Sequence, residues 1–247
     1  ILAFLKTAIY NDFLTSGHSS VVERLVANEK VVGSSPIARS INIMFGYLLK
    51  IFHKILENQD IRKYKNKLIY YLLFRLIRKK LKGSLKIKIY NFYVWASNKK
   101  NKQSHSLLRK CDFEDLQELK LIKEICSQKK TIFFDCGANF GFYSLFVSSL
   151  SKDNKIIAFE ASPDTFEDLK KNVVLNNFKN IEYINKAVSD KTDTEIKFIE
   201  SENDWESSLS NLEFDILKSV YIKTIKLDDF LQHEDIKSYN YNIVIKL

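Results

Sequence analysis

The sequence predicts an α/β fold built on a doubly wound, mostly parallel sheet, and three observations carry that expectation. The run "TIFFDC" at residues 131–136 is β-branched and aromatic, and it ends in a glycine-bearing loop that opens a helix. "KIIAFEAS" (155–162) repeats the pattern and leads into "PDTFEDLKKNVVLNN" (163–177), where Pro163 suits a first helical turn. "IEYINKAVSD" (181–190) supplies a third strand. Strand and helix in alternation imply right-handed crossovers with helices on both faces. Ligands of such sheets bind beyond the carboxyl ends of the strands.

Taken in order, the chain starts at Ile1, and its only methionine is Met44. "GHSSVVERLVANEKVVGSSPIARS" between them has neither helical nor strand periodicity. It resembles the conceptual translation of a transfer-RNA gene. Residues 19–24 can be encoded by AGCTCAGTTGTAGAGCGC, which reads like a D-arm, and residues 33–36 by GGTTCGAGTCCC, which reads like a T-arm. Residues 1–43 are therefore read as a spurious translated extension, with the protein beginning at Met44.

From there, residues 44–130 form a basic, mostly helical region, with helices expected over 46–57 and 66–82. A strand is expected over 85–95, where Leu85, Ile87 and Ile89 alternate with lysines. The lysine-rich "SNKKNKQSHS" follows as a polar connector, and then a helix from about Phe113 with Asp112 as its N-cap. This region carries 22 Lys/Arg against 7 Asp/Glu, whereas residues 131–247 carry 13 against 20. The basic excess fits an ordinary solvated face, peripheral contact of residues 50–88 with an anionic membrane, or steering of an anionic substrate. The interleaved glycines and aromatics of an RNA-binding surface are absent, so nucleic acid is disfavoured as a partner. "LIYYLLFRLIRKKL" is too short and too charged to span a bilayer. Cys111, Cys126 and Cys136 have no metal-ligand spacing, so reduced thiols, a cytoplasmic location and no metal are expected.

Beyond the third strand, residues 194–201 and 221–231 read as paired strands, and "YNIVIKL" (241–247) as a fourth core strand. Asn172 and Asn176 are assigned to helix capping, and Phe140, Phe142 and Tyr143 to helix–sheet packing.

The candidate site is the loop after Cys136. Gly137 and Gly141 are two of only six glycines. Gly137 is expected to turn the chain off the strand, and Gly141 to let backbone approach a ligand without a Cβ. Glu160, at the end of the second strand, is placed to accept both hydroxyls of a ribose. The G-x-G-x-x-G spacing is missing and no Gly-Lys-Ser/Thr follows, which argues against a dinucleotide or a phosphate loop. Asp135 would repel a pyrophosphate but suits a cationic amino group. A phosphate-free sulfonium nucleoside, S-adenosylmethionine, fits both conditions.

At these residues the chain resembles a known family. "FFDCGANFGFYSLF", "IIAFEASPDTFEDLKKNVVLNN", "NKAVSD" and "IKLDDFL" are similar, in order, to the FkbM family of S-adenosylmethionine-dependent methyltransferases over about residues 131–247. The resemblance implies a class I, Rossmann-like methyltransferase fold, of which 131–247 would be the N-terminal part. It implies that Asp135, Gly137, Ala138, Asn139 and Gly141 line the methionine end of the cofactor. Glu160 would hold the ribose, and the turn at Ser189 and Asp190 would sit beside the adenine. It implies methylation of a hydroxyl on a sugar, glycan or small natural product, and a serine near the acceptor, here Ser207 or Ser208. In the family the fourth strand runs on into an acid and Val-Glu-Gly. The expectation is therefore a truncated frame with an open sheet edge, at risk of not folding stably or turning over. No residue is assigned as catalytic base. The rivals are an RNA methyltransferase and a non-catalytic, membrane-surface-binding fragment; a nicotinamide oxidoreductase is disfavoured by the glycine spacing.

Overall fold

A computed structural model of the chain describes residues 36–77, 83–97, 102–201, 216–233 and 241–247. Expectations on residues 1–35 and on Ser207 and Ser208 lie outside the described residues. The chain divides into two compact units, residues 1–47 and 48–247. Of the first, only helical residues 36–47 are described.

The second unit begins within helix α1 (Pro36–Asn58), which starts inside the stretch set aside as spurious. Its Phe52 and Leu56 are fully buried. Phe52 packs on Tyr70 and Phe74 of α2 (Leu68–Ile77), at ring-centroid distances of 5.5 and 6.2 Å. The stretch expected as one strand over 85–95 is instead a hairpin, β1 (Ser84–Ile89) and β2 (Phe92–Ser97). Its two-residue turn places Tyr90 in the left-handed region at φ 52°. Asn91 is the only turn-forming residue there, so the hairpin lacks the usual Asn-Gly signature. Leu85, Ile87 and Ile89 pair with Ala96, Val94 and Phe92, and all six are buried. The opposite face carries Lys86 and Lys88, which stand 4.6 and 6.0 Å over the ring of Tyr93.

The lysine-rich connector was expected to be irregular but holds a helix, α3 (Lys102–Lys110), anchored by buried Leu107 and Leu108. Two lysines and two asparagines before it mask a short amphipathic pattern. The next helix, α4 (Leu116–Gln128), starts later than expected. Asp112 does not cap it: its carboxylate accepts from Phe113 N–H at 3.0 Å and pairs with Lys65 at 2.8 Å. Thr131 follows after a short link.

The central sheet is as expected in its first two strands. β3 (Thr131–Cys136) is entirely buried; α5 (Phe142–Leu150), β4 (Lys155–Phe159), α6 (Pro163–Asn176) and β5 (Ile181–Ile184) follow. The third expected strand, 181–190, breaks at Asn185 and Lys186. Its remainder, β6 (Ala187–Val188), joins a second sheet with β7 (Glu195–Ser201) and β8 (Ile216–Ile225), in the order β6-β8-β7. Helix α7 (Leu227–His233) then leads to β9 (Asn242–Lys246), which pairs in parallel with β3. The order β5-β4-β3-β9 places the reversal of winding between β3 and β9. In-register alternation puts Ile132, Phe134 and Cys136 on one face, packed with Ile157, Phe159 and Ile225 and against Leu227 and Leu231 of α7. The other face of β3 meets α5, where Asp135 bonds to Ser144. β9 is the outer strand among the described residues, and its Ile243 and Ile245 are 50% and 46% exposed. No described helix is long and apolar enough to cross a membrane.

An aromatic cluster ties the front of this unit to the sheet. Phe113 stacks on Phe142 at 3.9 Å, and Phe92 meets the same ring at 5.5 Å. The two asparagines of α6 complete the joint, and they are not helix caps. A two-stranded hairpin leaves backbone groups unpaired along β2. Asn176 Oδ1 accepts from Tyr93 N–H at 2.7 Å, and its amide donates to Tyr93 O at 2.7 Å. Asn172 Oδ1 accepts from Trp95 N–H at 2.8 Å, and its amide donates to Phe140 O at 2.9 Å. The cap itself is Asn177, in the left-handed conformation. Asn172 is fully buried. Replacing it by alanine strands one donor and one acceptor, so Asn172→Ala should cost about 2 kcal/mol in denaturant unfolding, and a change under about 0.5 kcal/mol would contradict this role.

Candidate functional site

The site is built by β3 stopping short. The pairing of β3 with β4 ends at Cys136 and Phe159, and the amides of Gly137 and Ala138 both turn back onto Phe159 O, at 2.9 and 2.8 Å. That fork fixes the loop against the end of β4. Two residues in it adopt left-handed backbone that β-branched side chains would resist, Gly137 at φ 72° and Asn139 at φ 53°. Asn139 tolerates this because its Oδ1 accepts from Phe140 N–H at 2.7 Å.

Gly137 turns the chain off the strand as expected, but the open approach expected at Gly141 falls to Gly137 as well. A Cβ on Gly137 would meet nothing within 4 Å, because it would project into open space. Gly137 is thus the position of unobstructed approach. Gly141, at φ 89°, is the N-cap of α5, and a Cβ there would lie 2.4 Å from Cδ1 of Leu169, which is fully buried in α6. Gly141 serves close helix packing.

Glu160 follows β4 directly. Its Oε2 accepts from Asn139 N–H at 2.7 Å and its Oε1 from Ser162 N–H at 2.9 Å. One carboxylate therefore pins the glycine loop of β3 to the start of α6. Burial pushes its pKa up to about 7, against the pull of those two amides. Asp135 is wholly buried, with Oδ2 held by the amide and hydroxyl of Ser144 at 3.1 and 2.6 Å. Burial raises its pKa too, and Lys246 and Ser144 partly offset the rise.

These elements border a cavity of about 530 Å³ beyond the strand ends. That volume lies in the range of small-molecule sites. Gly137, Ala138, Asn139 and Glu160 line it. Asp135 and Gly141 stand behind the lining, and Ser189 and Asp190 lie just past the lining residue Val188 without reaching it. The Ser189 hydroxyl is turned to Asp190 at 3.1 Å. Sequence reasoning missed three contributors. Phe142 and Tyr143 were given packing roles; they do pack, and they also wall the cavity. Tyr143 donates to Glu118 at 2.6 Å, and burial with that carboxylate holds its hydroxyl far above the usual range, hence protonated. Lys246, unassigned before, also lines the cavity, and no signal along the sequence ties it to Asp135, its neighbour across β3 and β9. Among the described residues no His/Cys/Asp/Glu group could hold a metal ion.

The lining offers a carboxylate, an open backbone edge and aromatic walls, and among the described residues no ring of amides of the kind that cradles a phosphate.

Residues 135–243 match the family model described as "Methyltransferase FkbM domain". No curated protein matches the chain. Solved structures similar to it include a SAM-dependent methyltransferase from Agrobacterium tumefaciens, with 13% identity and TM-score 0.35, covering 43% of this chain and 33% of that one. A precorrin-6y C5,15-methyltransferase from Geobacter metallireducens has 17% identity and TM-score 0.26, covering 28% and 37%. A tRNA m1G37 methyltransferase from M. jannaschii has 19% identity and TM-score 0.32, covering 45% and 36%. The chain thus spans about a third of the Agrobacterium protein's length.

Proposed function

With residues 135–243 a methyltransferase FkbM domain, we propose that the protein uses S-adenosylmethionine to methylate a hydroxyl of a sugar, glycan or small natural product. The observation that carries this is the position of Glu160. Its buried carboxylate closes the glycine loop from one side and borders the cavity on the other. The residues present fit the cofactor: Glu160 would take the ribose hydroxyls, and Gly137 leaves room where a side chain would block the chain of the amino acid. Bound there, the cofactor supplies an electrophilic methyl group on a sulfonium. The protein's own part is positional. Glu160 orients the sugar, Phe142 and Tyr143 keep water from one wall, and the Phe159 O fork keeps the loop rigid. An acceptor oxygen held in line with that methyl would form its C–O bond as the methyl–sulfur bond breaks, with S-adenosylhomocysteine leaving and the hydroxyl proton passing to a base.

Isothermal calorimetry on the full chain tests the proposal. S-adenosylhomocysteine should bind in the micromolar range, about −8 kcal/mol, while NAD gives no heat. Tight binding of NAD with no response to the adenosyl ligand would refute it. A sugar-nucleotide or phenolic acceptor panel, scored by transfer of a labelled methyl group, then separates hydroxyl acceptors from RNA.

A further inference from the structure

Asp135 and Lys246 are in-register neighbours at the carboxyl ends of β3 and β9, so both side chains rise on the same face of the sheet. The Asp135 carboxylate is fully buried, and its Oδ1 makes no hydrogen bond among the described residues. Such an orphaned oxygen is rare and demands an explanation. What faces it is Lys246 Nζ at 3.7 Å, close enough for attraction and too far for a hydrogen bond. The same ammonium lies 3.5 Å from Gly137 O and 5.2 Å from the ring centroid of Tyr143. It is held among three weak acceptors, and its side chain, 19% exposed, borders the cavity.

We infer that Lys246 orients the amino-acid end of the cavity's ligand by pairing with the ligand's carboxylate. This deepens the proposed use of an S-adenosyl nucleoside and rests on it. Sequence alone matched Asp135 to the ligand's ammonium, but Asp135 does not border the cavity and already faces a cation. A second ammonium on this floor would meet the Lys246 charge with little water between them. A carboxylate arriving there instead gives Lys246 a short, charge-assisted partner that Asp135 at 3.7 Å does not provide. Asp135 acts through Lys246: it is a positioning residue that keeps the ammonium charged and aimed.

The test compares S-adenosylhomocysteine with its decarboxylated analogue, which keeps the ammonium and loses only the carboxylate. Calorimetry on the native chain should show the analogue binding about tenfold or more weakly, the equivalent of one charged hydrogen bond. Removing Lys246 alone would leave a buried unpaired carboxylate and endanger folding. The variant is therefore the pair Asp135→Asn with Lys246→Met, checked by circular dichroism. There the two ligands should bind within about twofold of each other, because the parent ligand has weakened. Equal binding of both ligands to the native chain overturns the inference without further variants. So does a preference for the carboxylate that survives in the double variant. If the native chain binds neither ligand, the proposed cofactor itself fails, which is a separate result.

Discussion

Replacing Gly141 by alanine is expected to lower the stability of the chain by about 3 kcal/mol, whereas Gly137→Ala lowers it by only about 1 kcal/mol. Both positions have left-handed backbone, at φ 89° and 72°, so both substitutions bear a similar conformational penalty. They differ in what the added methyl meets. At Gly141 it would press to 2.4 Å on Leu169 Cδ1. Leu169 is fully buried and cannot swing outward, so α6 must shift or the leucine must leave its rotamer. At Gly137 the methyl meets nothing within 4 Å. Denaturant midpoints, or melting temperatures lower by roughly 10 °C for Gly141→Ala against a few degrees for Gly137→Ala, measure the contrast. Ligand affinity should invert the order: Gly137→Ala weakens S-adenosylhomocysteine binding more than Gly141→Ala does in folded protein. Equal losses of stability at the two sites would remove the distinction between a packing glycine and an approach glycine.

Glu160 is expected to give the largest effect on binding. In Glu160→Gln one carboxylate oxygen becomes an amide that must face the N–H of Asn139 or Ser162, both donors. The loop loses a clamp and the ribose loses a charged acceptor, so S-adenosylhomocysteine should bind roughly 10- to 100-fold more weakly. The native residue also imposes a pH signature. Its folded-state pKa, about 7, lies above the ordinary 4.5, so the fold favours the protonated form. Its stabilising contribution is therefore complete below pH 4.5 and is lost as pH rises through 7, by up to about 3 kcal/mol. Burial raises Asp135 as well, so it acts in the same direction. Binding moves the other way. Only ionised Glu160 accepts both hydroxyls, so affinity should rise about tenfold from pH 6 to pH 8, with a proton released on binding near pH 6. In Glu160→Gln both slopes flatten. An unchanged pH profile of binding in that variant would show that another group titrates.

Much of the central sheet was legible because its signals are local. β3 runs over Thr131–Cys136 and α5 begins at Phe142, as expected, since a dense aromatic run followed by glycines leaves few alternatives. Pro163 marks the start of α6 for the same reason. The departures arise where a distant partner decided. Residues 85–95 alternate well enough for one strand, yet the chain turns at Tyr90 because two short strands can bury six residues on one face. Val188 left the third strand because Ile225 of β8 offered it a partner. Asn172 and Asn176 have helical spacing that fits capping, but what they satisfy is a hairpin edge 77 and 83 residues away.

The site divides along the same line. Gly137 and Glu160 could be named from spacing, because a tight loop after one strand and an acid after the next are properties of short segments; Asn139 came only from the family resemblance. Which glycine packs and which stays open depended on Leu169, and no pattern along the chain connects residue 141 to residue 169. The partnership of Asp135 with Lys246 depended on β9 lying beside β3 rather than at the far edge. The chain by itself determined the α/β alternation, the loop and its carboxylate, since hydrophobic period, glycine placement and caps act over a few residues. Only the tertiary structure decided that Asp135 is buried and that Lys246 floors the cavity. Strand order brings together charges 111 positions apart, and burial then makes their pairing obligatory.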